Sequence, residues 1–387
     1  MSESNLTLSI ANAIQEAIGN GPIGLHEPFF AGNESKYLQE CLDSTFVSSV
    51  GKFVDQFEVN IANFTHSKFA IVVVNGTAAL EISLKLAGVT AGDEVLIPAL
   101  TFVATATAVK QCNAVPHFVD SEEQTLGIDV SKLRDYLHKI SENRSGICTN
   151  KLTGRPIRAL VPMHTFGHPS DIEGLLDIAD EFNLVIVEDA AESFGSTYKG
   201  QHTGTFGLLG SVSFNGNKTI TTGGGGAILT DNQEIARKAK HITTTAKIAH
   251  PWEFKHDQVG FNYRMPNINA ALGCAQLEAI DSKLSMKREL YKSYETAFSG
   301  LEGVKLFQEP ENCRSNYWLQ TIILDKSATQ EREEILAKLN SIGFMSRPAW
   351  NLISTLKPYM DDPKMDLTCA QGLQSRIINI PSNVNSK

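Results

Sequence analysis

Apolar positions along the chain recur with two periods, and the alternation between them predicts the architecture. Phe69-Ala70-Ile71-Val72-Val73-Val74 is a continuous apolar run, the mark of a strand covered on both faces. Thr77 then opens a segment with Leu80, Leu84 and Ala87 on one helical face, stopped by Gly88, a residue suited to the left-handed turn that ends a helix. The alternation continues with strands over Glu94–Leu100, Val115–Val119, Arg158–His164 and Leu184–Val187. Helices are predicted over Phe102–Gln111, Val130–Ile140 and Ile172–Phe182, and two shorter strands over Ser211–Asn215 and Ala227–Thr230. Repeated strand–helix alternation predicts an α/β fold: a mostly parallel central sheet with helices on both faces. Ligands of such sheets sit beyond the carboxyl ends of the strands.

The texture differs at the two ends. Leu6–Ile18 has the spacing of a short peripheral helix and runs into Gly19-Asn20-Gly21. After Pro266, Asn269–Gly300 is helix-rich, Trp318–Leu324 is strand-like and Glu331–Ile342 is a helix. The predicted organisation is an N-terminal helical segment (1–28), a large α/β domain (29–265) and a smaller C-terminal α+β domain (266–387). A length of 387 residues suits one large and one smaller domain.

Composition narrows the function classes. The formal charge of −9 argues against a dedicated nucleic-acid surface. The six cysteines contain no CxxC pair and lie near no His-rich cluster, so neither a metal site nor a disulfide framework is expected. Buried thiols in a reducing cytosol are the simpler reading. No basic stretch precedes an apolar core at the N-terminus, and no apolar run is long enough to span a bilayer. A cytoplasmic protein with no membrane partner is expected.

Three strand ends carry candidate chemistry. In Asn75-Gly76-Thr77-Ala78-Ala79-Leu80, small residues let backbone N–H groups at a helix N-terminus approach an anion. The same residues also make an ordinary helix cap. Glu188-Asp189-Ala190-Ala191-Glu192-Ser193 places carboxylates at the tip of an apolar strand, where they are costly without partners. An aspartate there can face a pyridinium nitrogen and keep it protonated, or simply cap a helix. Ser213-Phe214-Asn215-Gly216-Asn217-Lys218-Thr219 is followed by four glycines, Gly223 to Gly226. A phosphate-loop NTPase fails on spacing, since its two required glycine positions hold Val212 and Asn217. A nicotinamide-binding turn fails too, because the segment after the first strand lacks GxGxxG.

In combination these segments resemble the DegT/DnrJ/EryC/StrS sugar-aminotransferase family, fold-type I enzymes that use pyridoxal 5'-phosphate. The resemblance runs from Phe30 to about Trp350 and includes Gly92-Asp93-Glu94-Val95, Pro98-Ala99-Leu100-Thr101-Phe102 and Gly260-Phe261-Asn262-Tyr263-Arg264-Met265. It implies that Lys218 bonds the cofactor aldehyde and carries the proton, and that Asp189 pairs with the ring nitrogen. Relatives with histidine in place of this lysine are dehydratases, so Lys218 implies amino transfer, with pyridoxamine phosphate as the intermediate form. The resemblance assigns cofactor contacts to Gly76, Thr77, Ala78 and Ser213 at the phosphate and to Phe102 on the ring face. Glu192 stands near the ring oxygen, where the family often carries Gln. Asn262 is implied to reach the phosphate of a neighbouring subunit, which makes the active unit a homodimer with shared sites. His164, Tyr263 and Arg264 are implied substrate contacts, His164 being equally readable as a satisfied loop histidine.

Phe30-Ala31-Gly32-Asn33-Glu34-Ser35-Lys36-Tyr37-Leu38 and Phe46-Val47-Ser48-Ser49-Val50-Gly51-Lys52-Phe53-Val54 resemble the branch that serves legionaminic-acid and bacillosamine-type pathways. That implies a UDP-linked 4-keto-6-deoxy-N-acetylhexosamine as acceptor and L-glutamate as donor. The perosamine branch, with a GDP-linked 4-keto-6-deoxymannose, stands second, and a non-catalytic binding module on the same fold third.

Overall fold

In a computed structural model describing residues 4–384, the apolar runs form the strands of a seven-stranded sheet, Phe69–Val73 being one of its edges. Its strands are β1 (Phe69–Val73), β2 (Glu94–Pro98), β3 (Val115–Val119), β4 (Ile157–Leu160), β5 (Val185–Asp189), β6 (Leu209–Ser213) and β7 (Gly226–Thr230). They lie side by side as β1-β7-β6-β5-β4-β2-β3. β7 runs antiparallel to both neighbours, while β6, β5, β4, β2 and β3 pair in parallel. The mostly parallel sheet expected from the alternation is therefore present.

Three helices precede the sheet, α1 (Asn5–Ile18), α2 (Glu34–Asp43) and α3 (Lys52–Thr65). The last two were not anticipated, although α3 buries Phe53, Val54, Phe57 and Ile61 at helical spacing. α4 (Gly76–Leu86) follows β1, α5 (Val103–Gln111) follows β2, α6 (Val130–Ile140) follows β3, α7 (Ile172–Phe182) follows β4 and α8 (Gln233–Thr243) follows β7. Side chains set several of the starts: Asn75, Asp129 and Asp171 each accept a backbone N–H from three residues on. Phe102 is the extended residue before α5 rather than its first turn.

The strand expected to reach His164 is regular to Leu160, and its pairing carries on beyond: Val161 N–H donates to the Leu96 carbonyl, Met163 bridges Asp189 in parallel, and His164 N–H donates to the Asp189 carbonyl at 3.2 Å. Pro162 has no N–H to donate to a ladder, and its carbonyl instead accepts the Asp189 N–H at 2.8 Å.

Past Pro266 come α9 (Asn267–Glu278) and α10 (Ile280–Ala297). A four-stranded antiparallel sheet follows, built from β8 (Val304–Leu306), β9 (Gln320–Leu324), β10 (Arg347–Pro348) and β11 (Ile377–Ile380) in the order β8-β9-β11-β10. α11 (Arg332–Ser341) and α12 (Thr368–Arg376) complete this layer. The N-terminal helix is part of it: Ile10 and Ile14 of α1 share one buried cluster with Tyr294, Ile322, Ile335 and Ile378. All six cysteines are free thiols. Among the described residues no helix is long and apolar enough to cross a membrane, and no group of three or more His, Cys, Asp or Glu side chains is placed to hold a metal ion.

Candidate active site

The head of α4, the carboxyl ends of β5 and β6, and the segment after β6 surround a cavity of about 330 Å³. Asp189, the last residue of β5, lies at its inner wall and is only 6 % exposed. Its Oδ2 accepts the Thr105 hydroxyl at 2.7 Å and its Oδ1 the Ala191 N–H at 3.2 Å. Burial pushes its pKa up, and these two neutral donors, with the charge of Lys218, only partly oppose that.

Neighbouring positions on a strand face opposite sides, so Glu188 turns away from the cavity. Its carboxylate accepts N–H groups from Gly204 at 2.7 Å, Phe206 at 2.7 Å and Gly207 at 2.8 Å, and meets His164 Nε2 at 3.1 Å. The third carboxylate of the motif, Glu192, returns to the cavity side and is 3 % exposed. Its Oε2 accepts the Phe166 N–H at 2.9 Å, and its Oε1 faces Lys218 Nζ at 3.3 Å. Burial raises the Glu192 pKa to about 7 against the opposing charge of Lys218.

Lys218 Nζ also sits 3.7 Å from the centroid of the Trp318 ring, close enough for a cation–π contact. Trp318 donates its indole N–H to the carbonyl of Asn217 at 2.6 Å. The ring under the lysine is thereby tied to the segment that carries the lysine.

This constellation fits pyridoxal phosphate. A buried carboxylate with neutral hydrogen-bond donors suits a protonated ring nitrogen. The first N–H groups of α4 have no partners within the helix, and Thr77 and Ser213 line the cavity beside them. Two glycines make that cradle possible by close approach. A Cβ on Gly76 would lie 2.9 Å from Ser213 Cβ, and one on Gly226 would lie 2.7 Å from the backbone carbon of Asn75. Phe102, 48 % exposed, presents its ring to the cavity beside Trp350, with centroids 6.2 Å apart.

Gly76, Thr77, Phe102, Asp189, Glu192, Ser213 and Lys218 thus share one cavity. Ala78 is buried beside it, its N–H donated to the Asn75 side chain at 2.8 Å. His164 is placed away from the cavity and is fully buried; Nδ1 accepts the Ser170 N–H at 3.1 Å while Nε2 faces Glu188. The satisfied-histidine reading describes that position, and direct contact with a substrate does not. Tyr263 donates to Glu81 at 3.0 Å. Arg264 lines a second cavity, of about 700 Å³, together with Lys240 and Lys247, and its Nε is buried without a hydrogen-bond partner among the described residues. That larger cavity lacks the lysine–carboxylate set and is not the centre of the chemistry. Asn262 is exposed and lies outside the lysine cavity of its own chain. Trp318 and Trp350 were not foreseen as cavity residues. The one available signal was rarity, for the chain has three tryptophans and these two line the cavity.

Comparison with known proteins agrees with this geometry. Residues 30–387 match the DegT/DnrJ/EryC1/StrS aminotransferase family. The chain is 37 % identical to GDP-perosamine synthase of Escherichia coli O157:H7 over 93 % of either chain. It is 27 % identical to UDP-2-acetamido-2-deoxy-3-oxo-D-glucuronate aminotransferase of Pseudomonas aeruginosa over 86 % of either chain. Its fold matches the solved structure of Helicobacter pylori PseC, an aminotransferase involved in the biosynthesis of pseudoaminic acid, with a TM-score of 0.85, 22 % identity, and coverage of 94 % of this chain and 95 % of that one.

Proposed function

Because the chain belongs to the DegT/DnrJ/EryC1/StrS aminotransferase family and is therefore a pyridoxal-phosphate-dependent sugar aminotransferase, we propose that it aminates carbon 4 of a nucleotide-linked 4-keto-6-deoxy sugar, with L-glutamate as donor. The observation that carries the reading is the shared cavity of Lys218, Asp189 and the α4 head. Bound pyridoxal phosphate supplies an aldehyde that carries the amino group and a ring that draws electrons from the reacting carbon. Asp189 keeps the ring nitrogen protonated. Lys218 would anchor the cofactor covalently, and its amine is the group placed to take up and return a proton at the reacting carbon. Gly76, Thr77 and Ser213 receive the phosphate. Phe102 and Trp350 cover the ring side and exclude water.

Two opposed signals bear on the nucleotide. Phe30–Leu38 and Phe46–Val54 resemble the UDP-sugar branch. Whole-chain similarity points to the GDP-sugar branch, through the relative at 37 % identity. A likeness spread over 93 % of the chain outweighs two short segments, so we place the GDP-linked 4-keto-6-deoxymannose first and the UDP-linked N-acetylhexosamine second, reversing the order read from the sequence. We further propose a homodimer in which Asn262 serves the neighbouring chain's cofactor phosphate, and in which Tyr263 and Arg264 contact the nucleotide sugar. The test is a product assay with both 4-keto-6-deoxy acceptors after glutamate has converted the cofactor to its amine form. Amination of the GDP-linked sugar supports the first reading. Turnover of the UDP-linked sugar alone overturns it in favour of the second.

A further inference from the structure

Asp189 is held by a side chain that stands outside the cavity. Thr105, in the first turn of α5, is fully buried and does not line the cavity, yet its hydroxyl donates to Asp189 Oδ2 at 2.7 Å. Its Oγ1 lies 2.8 Å from that of Thr101, which is fully buried too and precedes it by four residues. A threonine inside a helix can return its hydroxyl hydrogen to the carbonyl four residues earlier. Thr107 of the same helix does so, to the Val103 carbonyl at 3.0 Å. Thr105 instead gives its hydrogen to a carboxylate 84 residues away. A hydroxyl carries only one hydrogen. With its own committed to Asp189, Thr105 accepts that of Thr101, and the pair forms a directed chain that ends on the carboxylate. Among the described residues neither hydroxyl has another partner.

We propose that Thr105, with Thr101 behind it, is a positioning residue for Asp189: its hydroxyl fixes Oδ2 and favours the carboxylate, so that the proton shared with the bound cofactor's ring nitrogen stays on the nitrogen. The inference rests on the role proposed for Asp189 but not on the identity of the sugar. Burial pushes Asp189 towards its neutral form, and the Thr105 bond is foremost among the interactions that oppose burial. The titratable side chains facing Asp189 are Lys218, His164 and Glu192. Each carboxylate oxygen offers two lone pairs. Oδ2 serves Thr105 and Oδ1 serves the Ala191 N–H at 3.2 Å, so acceptor capacity is left for a ring N–H. A hydroxyl that itself accepts a hydrogen bond donates more strongly, so Thr101 acts on Asp189 without touching it.

Thr105→Val removes the hydroxyl and keeps the branched shape. In cofactor-free protein carrying isotope-labelled aspartate, the infrared band of a protonated carboxyl that is missing from Asp189→Asn belongs to Asp189. In Thr105→Val that band should persist to a pH about one unit or more above the wild type, the scale of one hydrogen bond to a charged group. In the holoenzyme, the magnetic resonance of the proton on the ring nitrogen should move downfield, because a carboxylate relieved of one donor accepts the other more strongly. Single-turnover conversion of the cofactor by L-glutamate should slow about tenfold, with the donor concentration at half-maximal rate within about twofold of wild type. Thr105→Ser should restore the rate. Thr101→Val should displace the Asp189 titration less and in the same direction, and should add nothing to Thr105→Val, since its only route to Asp189 is then gone. An unchanged Asp189 titration in Thr105→Val overturns the proposal, and so does an unchanged rate. If Thr105→Val does not fold, Thr101→Val carries the test, and an unmoved titration there overturns it equally. A defective Asp189→Asn beside a normal Thr105→Val refutes this inference alone. A normal Asp189→Asn refutes the role given to Asp189, and this inference with it.

Discussion

At the scale of single residues, the site is a contest between burial and charge, and Asp189 shows it most plainly. Its carboxylate is buried against two neutral donors, and burial raises its pKa. A cationic ring nitrogen would reverse that balance, because an opposite charge at contact distance favours the ionised form. Asp189→Asn keeps the shape and removes the charge. The variant should still bind the cofactor, while the single-turnover rate of amino transfer falls by at least about 100-fold, the usual scale for losing one preorganised charge in a closed site. Absorbance of the bound cofactor and the rate of its conversion measure the two halves separately. A near-normal rate would reduce Asp189 to a structural cap. Lys218, Asp189 and Ser213 were singled out by the combination of their segments and the family resemblance it carries, since each segment alone reads equally as a cap or a surface charge, and the structure brings the three to one cavity. Trp318 and Trp350 were not, because each belongs to a segment more than 90 residues past Lys218 and meets it only when the C-terminal layer folds back. No local period records such a meeting.

At the scale of elements, the end of β5 is a two-sided device. Asp189 faces the cavity, and Glu188, on the opposite side, fixes the strand to its surroundings. Burial alone would raise the Glu188 pKa, but the His164 ring and the N–H groups of Gly207 and Gly204 outweigh it and hold the value below the ordinary carboxylate range. A depressed folded-state pKa contributes stability that is present above the unfolded value, near 4.3, and lost as pH falls through the folded one. Glu188→Gln replaces a carboxylate that serves four donors with an amide whose NH2 group cannot accept. It should cost roughly 3 kcal/mol or more near neutrality, measured by urea unfolding. The loss relative to wild type should shrink below pH 4, as the native carboxylate itself protonates. A variant as stable as wild type at pH 7 would show that the loop before β6 is held by other contacts. The sequence announced both acids but not their division of labour, and it set His164 among the substrate contacts. What it lacked was which face His164 takes beyond Leu160: the segment stays paired with β5, and the imidazole lies beside Glu188, on the side away from the cavity. Strand and helix placement over residues 69–230 followed from apolar periodicity, whereas the order of the strands in the sheet did not. α2, with only Glu34 and Cys41 buried, offers almost no periodic signal to read.

At the scale of the whole molecule, the proposed dimer makes a specific claim about how each site is built. Asn262, implied by the family resemblance to be a phosphate contact, is exposed and stands outside its own chain's lysine cavity. Just before it, Trp252, Phe254 and Val259 are 78 %, 82 % and 88 % exposed. Large apolar side chains so open to water and close together are a feature of surfaces that another chain covers. In the proposed two-fold dimer the exchange would be reciprocal, each chain lending Asn262 to the other's Lys218. Two lesions separate this arrangement from a site contained in one chain. Lys218→Ala removes the anchor and the proton carrier. Asn262→Asp sets a carboxylate against a phosphate dianion, and like charges at close range repel. Each homodimer should be inactive or nearly so. A heterodimer of the two variants has one site that collects both lesions and one that collects neither, so it should regain up to about half of the wild-type activity per dimer, the share of one intact site of two. Differently tagged chains, coexpressed and purified through both tags, isolate that species, and circular dichroism of the parent homodimers establishes that both are folded. If each site were built within one chain, every site in the heterodimer would carry one lesion. The isolated species would then be no more active than its parents, and Asn262 would act within its own chain or not at all.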